Sequence, residues 1–294
     1  MNVEDISRML LQQTYVSDKS IAISLFLSIQ LKKPLLIEGP AGVGKTEIAK
    51  VLAKAMDTNL IRLQCYEGLD AHHALYEWNY QRQLLHLKML DGSGADSGEQ
   101  EKIIFSEEFL MERPLLQAIR QDNSPVLLID EVDRADEEFE SFLLELLSDW
   151  QITIPEIGTI KANHQPYVIL TGNRTRELSE ALRRRCLYLW IDYPNFEKEL
   201  AILKSKVPDC DEQLALQICT FMKELRAMKL EKTPGIAETI DWAQALAALH
   251  FEHLDKSVIE DTLGVVLKDW QDMRHVRDSL TELWEKTGVT SRIG

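Results

Sequence analysis

Gly39-Pro40-Ala41-Gly42-Val43-Gly44-Lys45-Thr46 is the stretch on which the fold turns. It is a G-x-x-x-x-G-K-T pattern, and its physics points to one class of ligand. Glycines let the backbone turn tightly and aim its N–H groups inward, where they meet phosphate oxygens. Lys45 then reaches the β- and γ-phosphates, and the Thr46 hydroxyl takes Mg²⁺. A helix starting near Gly44 adds its positive dipole end to the same place. Such a loop needs a strand before it and a helix after it. Leu35-Leu36-Ile37-Glu38 is a short apolar run opened by Pro34. Residues 47–56 carry apolar side chains at 48, 51, 52 and 55 and hold neither Gly nor Pro, which predicts a helix. The expected nucleotide contacts are Gly39, Pro40, Ala41, Gly42, Val43, Gly44, Lys45, Thr46 and Glu47.

Working outward, residues 5–13 and 18–31 read as helices before the first strand. Further strands are expected at 60–64, 126–130, 167–171 and 187–191. A helix is expected at 138–150, with Phe139, Phe142, Leu143, Leu146 and Leu147 on one face. Strands alternating with helices predict an α/β fold: a three-layer P-loop domain with a five-stranded parallel sheet. After Asp192-Tyr193-Pro194-Asn195 no strand pattern remains. Helices fit at 196–206, 211–229, 236–252, 256–273 and 275–286. The expected domains are thus an α/β nucleotide-binding domain, 1–194, and a helical lid, 195–294. Two excursions interrupt the α/β plan. Residues 91–100 form a polar, flexible loop between apolar arms. Residues 151–154 and 159–162 flank Glu156-Ile157-Gly158 and read as a β-hairpin. Each is either a solvated surface excursion or a working loop.

Three further places carry chemistry. Asp130-Glu131 ends an apolar strand behind the P-loop, where Asp130 can hold Mg²⁺, usually through water, and Glu131 can act as general base on the attacking water. Asn173 follows the fourth strand; an amide both donates and accepts, so it can orient that water. Arg183-Arg184-Arg185 gathers positive charge after a short helical segment. An arginine there can stabilise transferring phosphate as a finger supplied to a neighbouring subunit, with Arg185 the first choice and Arg184 the second. Tyr76, Trp78 and Tyr80 alternate, so in a strand their rings share one face, for packing or for gripping a peptide.

The chain has 294 residues, with 45% hydrophobic and 28% charged, ordinary for a soluble globular protein. No apolar stretch approaches the roughly 20 residues that span a bilayer. The N-terminus is acidic, unlike a secretory signal, so a cytoplasmic protein is expected. The four cysteines form no C-x-x-C pair and read as reduced and structural. A net charge of −15 repels nucleic acid and favours a protein partner.

The order of P-loop, Asp-Glu strand end, Asn173, arginine finger and helical lid resembles that of AAA+ ATPases. The finer wording is similar to the MoxR family and its CoxD-like branch. It is carried by Asp130-Glu131-Val132-Asp133-Arg134-Ala135, by Thr171-Gly172-Asn173-Arg174-Thr175-Arg176-Glu177-Leu178, by Arg184-Arg185-Cys186-Leu187-Tyr188 and by Pro234-Gly235-Ile236-Ala237-Glu238-Thr239-Ile240-Asp241-Trp242-Ala243. The resemblance implies ATP and Mg²⁺ as cofactors and a hexameric homo-oligomer with ATP bound between subunits. It implies a helix-2 insert at about 80–108 and a pre-sensor-1 hairpin at about 151–162, both lining a central pore. It implies an ATP-driven, chaperone-like remodeller of a protein client, such as a metalloenzyme under maturation, with a von Willebrand A-domain partner. Rival classes are a nucleic-acid motor and a nucleotide switch that scaffolds without hydrolysis. The chain departs from the pattern at sensor 2, where Glu238 and Thr239 stand in place of an arginine. Arg134 either reaches a neighbouring site or pairs with Asp136-Glu137-Glu138.

Overall fold

Val126-Leu127-Leu128-Ile129-Asp130 is apolar until its last residue because it is buried along its whole length. A run without polar alternation belongs inside a parallel sheet covered on both faces. The structure, a computed structural model, describes residues 2–90 and 102–287. The polar stretch 91–100 lies outside them.

The elements, in chain order, are α1 (Val3–Gln12), α2 (Lys19–Leu31), β1 (Leu35–Glu38), α3 (Lys45–Ala55), β2 (Leu60–Gln64), α4 (Ala71–Leu75), β3 (Tyr76–Trp78) and α5 (Tyr80–Leu90). Then come β4 (Leu110–Glu112), α6 (Pro114–Ile119), β5 (Val126–Asp130), α7 (Glu137–Asp149), β6 (Gln151–Ile154), β7 (Gly158–Lys161), β8 (Tyr167–Gly172), α8 (Glu180–Arg185) and β9 (Leu187–Trp190). Five of these strands form one parallel sheet in the order β2-β5-β8-β1-β9. This is the expected α/β P-loop sheet. Its register brings the carboxyl ends of the strands level: Gln64 opposite Asp130, and Glu38 opposite both Gly172 and Trp190. Ligand-binding residues of open α/β sheets collect at that edge.

The chain divides into two compact units. The first is Met1–Ile6, Lys19–Glu38 and Thr46–Trp190. Its core joins Leu36, Leu127, Ile129 and Leu170 of the sheet to Phe139, Leu143 and Leu146 of α7. The expected hairpin is present as β6–β7, antiparallel, with Ile152 and Ile154 turned into that core. The three aromatic residues do not share a face. Tyr76 and Trp78 lie buried on β3, whereas Tyr80 opens α5 and is exposed.

The second unit is Ser7–Asp18, Gly39–Lys45 and Ile191–Gly294. Its helices are α9 (Phe196–Lys206), α10 (Glu212–Ala227), α11 (Ile236–Ala248), α12 (Lys256–Val266) and α13 (Trp270–Thr287). No strand occurs among its described residues. Asn195, Asp211 and Asp255 cap α9, α10 and α12 with side-chain oxygens, which is why those helices begin where they do. The boundary expected at 274, between helices at 256–273 and 275–286, lies instead at 267–269. Asp269 accepts the N–H groups of Gln271 and Asp272, so a new helix starts there and the chain bends at 267–269. A buried ion pair braces the unit: Arg226 donates to both oxygens of Glu199 at 2.7 and 2.8 Å.

Candidate functional site

The first unit gathers its acidic and hydroxyl groups at the carboxyl edge of the sheet. Asp130, the last residue of β5, is 3% exposed. Its Oδ1 accepts the Thr46 hydroxyl at 3.0 Å and the Thr171 hydroxyl of β8. Its Oδ2 takes Arg62 of β2, from Nε at 3.1 Å and from a terminal nitrogen at 2.6 Å. The next residue, Glu131, turns the chain sharply with φ 55° and ψ 48°. That left-handed conformation costs a non-glycine residue about 1 kcal/mol or more and occurs where surroundings impose it. Here the Glu131 N–H is held by the Thr171 hydroxyl at 3.0 Å. Its side chain accepts Gln64 of β2 at 3.2 Å and pairs with Arg134 at 2.9 Å. Arg134 therefore pairs with Glu131, not with the acidic run 136–138.

Asn173 follows β8, and its backbone N–H is fixed by Asp133 at 3.0 Å. The same Asp133 oxygen accepts the Thr175 N–H and the Thr175 hydroxyl, each at 2.7 Å. Asp133 is 2% exposed, and its other oxygen is buried without a hydrogen bond. One carboxylate thus ties the turn after β5 to the turn after β8. Asp133→Ala is expected to leave two backbone donors, the Asn173 and Thr175 N–H groups, unpaired, while the Thr175 hydroxyl keeps the residue-133 carbonyl at 3.2 Å, and to destabilise the protein by about 3 kcal/mol. Amide exchange at Asn173 and Thr175 should rise with it; unchanged exchange at those two amides would overturn this role.

The arginines stand apart from this group. Arg184 pairs with Glu180, and Arg185 donates to Ser148 at 2.7 Å and to the Ala181 carbonyl at 3.3 Å. Both side chains are exposed at the end of α8. Nearby, Glu38 accepts the Tyr188 hydroxyl at 3.0 Å, and Arg174 lies 3.8 Å from it.

The carboxylates at the strand ends act on Cys65. Burial pushes the Cys65 thiol up to about 12, and the carboxylates of Asp130, Asp133 and Glu131 push the same way. All four cysteines are free. A hard divalent cation fits this donor set: a hydroxyl and a buried carboxylate oxygen 3.0 Å apart. Thr46 and Asp130 are the residues that can hold Mg²⁺.

The second unit holds the loop itself. Gly42 and Gly44 have φ 76° and 88°, a region that L side chains rarely adopt. Lys45 is 7% exposed, and its Nζ donates to the Gly39 and Pro40 carbonyls at 2.8 and 2.7 Å. Against this loop lies the start of α11. Ala237 N–H points at the Gly42 carbonyl at 3.3 Å, and a Cβ on Gly235 would lie 2.7 Å from that same oxygen. Glu238, where the resemblance led us to look for an arginine, accepts the Gly235 N–H at 2.8 Å and so caps α11. Arg226 holds the preceding turn through the Pro234 and Gly235 carbonyls.

The model of the AAA domain, dynein-related subfamily, matches residues 34–186, from the start of β1 to the end of α8. This chain belongs to the AAA domain family. Similar chains include an uncharacterized protein of Staphylococcus haemolyticus, 28% identical over 267 residues, covering 87% of this chain and 94% of that one. Another, from Staphylococcus epidermidis, is 28% identical and covers 84% and 90%. Among solved structures, a candidate ATPase from Cytophaga hutchinsonii shares the fold with a TM-score of 0.51 and 17% identity, covering 98% of this chain and 96% of that one. A Thermotoga maritima RuvB variant has a TM-score of 0.50 and 18% identity, covering 97% and 78%.

Four site residues of this AAA domain escaped the sequence reading: Arg62, Gln64, Thr171 and Asp133. Arg62 and Gln64 alternate along β2, so a signal for one shared face was present. Nothing in the sequence said that β2 lies beside β5.

Proposed function

We propose that this AAA protein hydrolyses ATP and uses the energy to remodel a protein client. The observation that carries the reading is the set of ties around Asp130: Thr46, Thr171 and Arg62 on its two oxygens, with Glu131 held next to it by Gln64 and Arg134. The P-loop N–H groups and Lys45 bind the phosphates, and Thr46 and Asp130 hold Mg²⁺. Bound there, Mg²⁺ neutralises charge on the transferring phosphate. Glu131 takes a proton from the attacking water, and Asn173 orients that water. Arg185, or Arg184 beside it, serves the site of a neighbouring copy, in keeping with their exposure and with partners they can release.

The finer reading is a MoxR-type protein of the CoxD-like branch: a cytoplasmic hexameric ring that matures a metalloenzyme or other client with a von Willebrand A-domain partner. Its support is the wording of the four stretches quoted for the resemblance. Consistent with it, no described helix is long and apolar enough to cross a membrane. RuvB, named as a Holliday junction branch migration motor, shares the fold alone with this chain, at 18% identity. The net charge of −15 opposes transfer of that activity to a polyanion.

A dilution series of specific ATPase activity, paired with a measurement of mass, tests the reading. Activity is expected to fall as the oligomer dissociates, because Arg185 then leaves the site it serves. Duplex DNA should leave the turnover unchanged. Equal activity at every dilution, unaffected by Arg185→Ala, would overturn the trans assignment.

A further inference from the structure

The client reading leaves open what chemistry a client presents. In the first unit the β6–β7 hairpin meets the segment from α4 to the start of α5. The turn between β6 and β7 brings Glu156 to a cavity of about 320 Å³ whose other walls are His73, Tyr76, Glu77, Trp78 and Tyr80. That volume is at the low end of ligand sites, about 300–1,000 Å³, and suits one side chain. Two of the walls are buried rings. Tyr76 and Trp78 meet edge to face with centroids 6.1 Å apart, and Trp78 packs likewise on Phe105 at 5.2 Å. Tyr80, 62% exposed, forms the open side.

The charge of the cavity is one-sided. No Lys or Arg lines it among the described residues. Glu77 is paired with Arg113, and His73 with Asp70. Glu156 is exposed and makes no ion pair with another described residue. Its charge reaches the pocket floor: burial first, then Glu156 and Tyr80, push the Tyr76 phenol up. Ring faces and an uncompensated carboxylate attract the same ligand, a cation with an apolar stem. An acidic side chain or a phosphate meets two carboxylates instead.

We propose that this cavity receives a lysine or arginine side chain from an extended segment of the client, its stem among the Tyr76, Trp78 and Tyr80 rings and its charge against Glu156. The inference rests on the client-remodelling reading above and names the chemistry of that client. The acidity of the whole chain steers a basic segment toward it.

The test uses the full chain with Mg²⁺-ATP and two fluorescein-labelled Gly/Ser peptides, one carrying three lysines and one carrying glutamines in their place. Fluorescence anisotropy is expected to show the lysine peptide bound at least tenfold more tightly. Glu156→Gln should weaken it about fivefold and Tyr80→Ala about tenfold, with Tyr80→Phe close to the parent, as expected for roughly 1 kcal/mol per contact. Glu252→Gln, an exposed carboxylate of the second unit, controls for bulk charge and should change nothing. Basal ATP turnover should be unchanged in all four variants. Equal binding of the two peptides, or equal losses in Glu156→Gln and Glu252→Gln, overturns the proposal. A parent protein without ATP turnover overturns the ATPase reading instead, so the two failures are distinguishable.

Discussion

Glu131→Gln is expected to keep nucleotide bound and to lower ATP turnover by about 10²–10⁴-fold, the usual contribution of a general base. The change is isosteric, and it removes the carboxylate proposed as general base while leaving the Thr46–Asp130 pair in place. The ties that shape that site do not involve the Glu131 side chain. Asp130 keeps Thr46 and Thr171 on one oxygen and Arg62 on the other. The left-handed turn at residue 131 is held through its backbone N–H by Thr171, so the conformation survives the substitution. What changes is the side-chain oxygen that accepts Gln64 at 3.2 Å and Arg134 at 2.9 Å. Both donors meet the same oxygen, Oε2, so an amide oxygen placed there keeps both and only the negative charge opposite Arg134 is lost. The resulting cost is local and falls on a side chain that is partly exposed. Equilibrium binding of a fluorescent ATP analogue and steady-state phosphate release measure the two halves. Undiminished turnover would remove Glu131 from the chemistry.

The contrast between Glu131 and Asp133 shows what a sequence conveys and where it stops. The run Asp130-Glu131-Val132-Asp133 offers three carboxylates in four positions. Strand periodicity places the first at the end of β5, and the P-loop upstream gives it a cation to hold. The third depends on the turn at 132–134, which swings Asp133 under the β8 turn, onto Asn173 and Thr175. No local pattern encodes that reach of 40 residues. The same limit applies across the sheet. β1, β5 and β8 were legible as nearly continuous apolar runs, because burial on both faces leaves little alternation; β2 and β9 are partly exposed, and β2 carries Arg62 and Gln64. The order β2-β5-β8-β1-β9 was not legible, and with it went the pairing of Arg62 and Gln64 with the Asp130-Glu131 pair. In the helical unit, apolar spacing ran unbroken through 256–273, and only the cap at Asp269 divides it.

Gly235→Ala carries the second large effect, and it is expected on nucleotide binding although residue 235 belongs to the helical stretch. Gly235 has φ −89° and ψ −169°, which alanine adopts without strain. The cost is therefore one of space alone. A Cβ there would lie 2.7 Å from the Gly42 carbonyl oxygen and 2.8 Å from the Gly42 carbon atoms. These are backbone atoms and cannot swing aside. Retreat of the Gly235 turn is opposed by Arg226, which grips the Pro234 carbonyl at 2.8 Å and is itself held by Glu199 at 2.7 and 2.8 Å. Of the two backbones, the one that yields is the loop at Gly42, whose conformation the phosphates require. Nucleotide affinity should fall at least tenfold, about 1.4 kcal/mol, and the overpacking should cost about 1–3 kcal/mol of stability. Gly264→Ala makes the comparison: its Cβ would meet nothing nearer than Met273 Cε at 3.9 Å, inside α12. Relief of backbone entropy should make that variant neutral or about 0.5–1 kcal/mol more stable, with nucleotide affinity unaltered. Thermal unfolding and binding of the fluorescent nucleotide, run on both variants, separate a general loss of stability from a displaced loop. Parental affinity in Gly235→Ala would show that the turn before α11 yields instead, and that the P-loop keeps its shape without it.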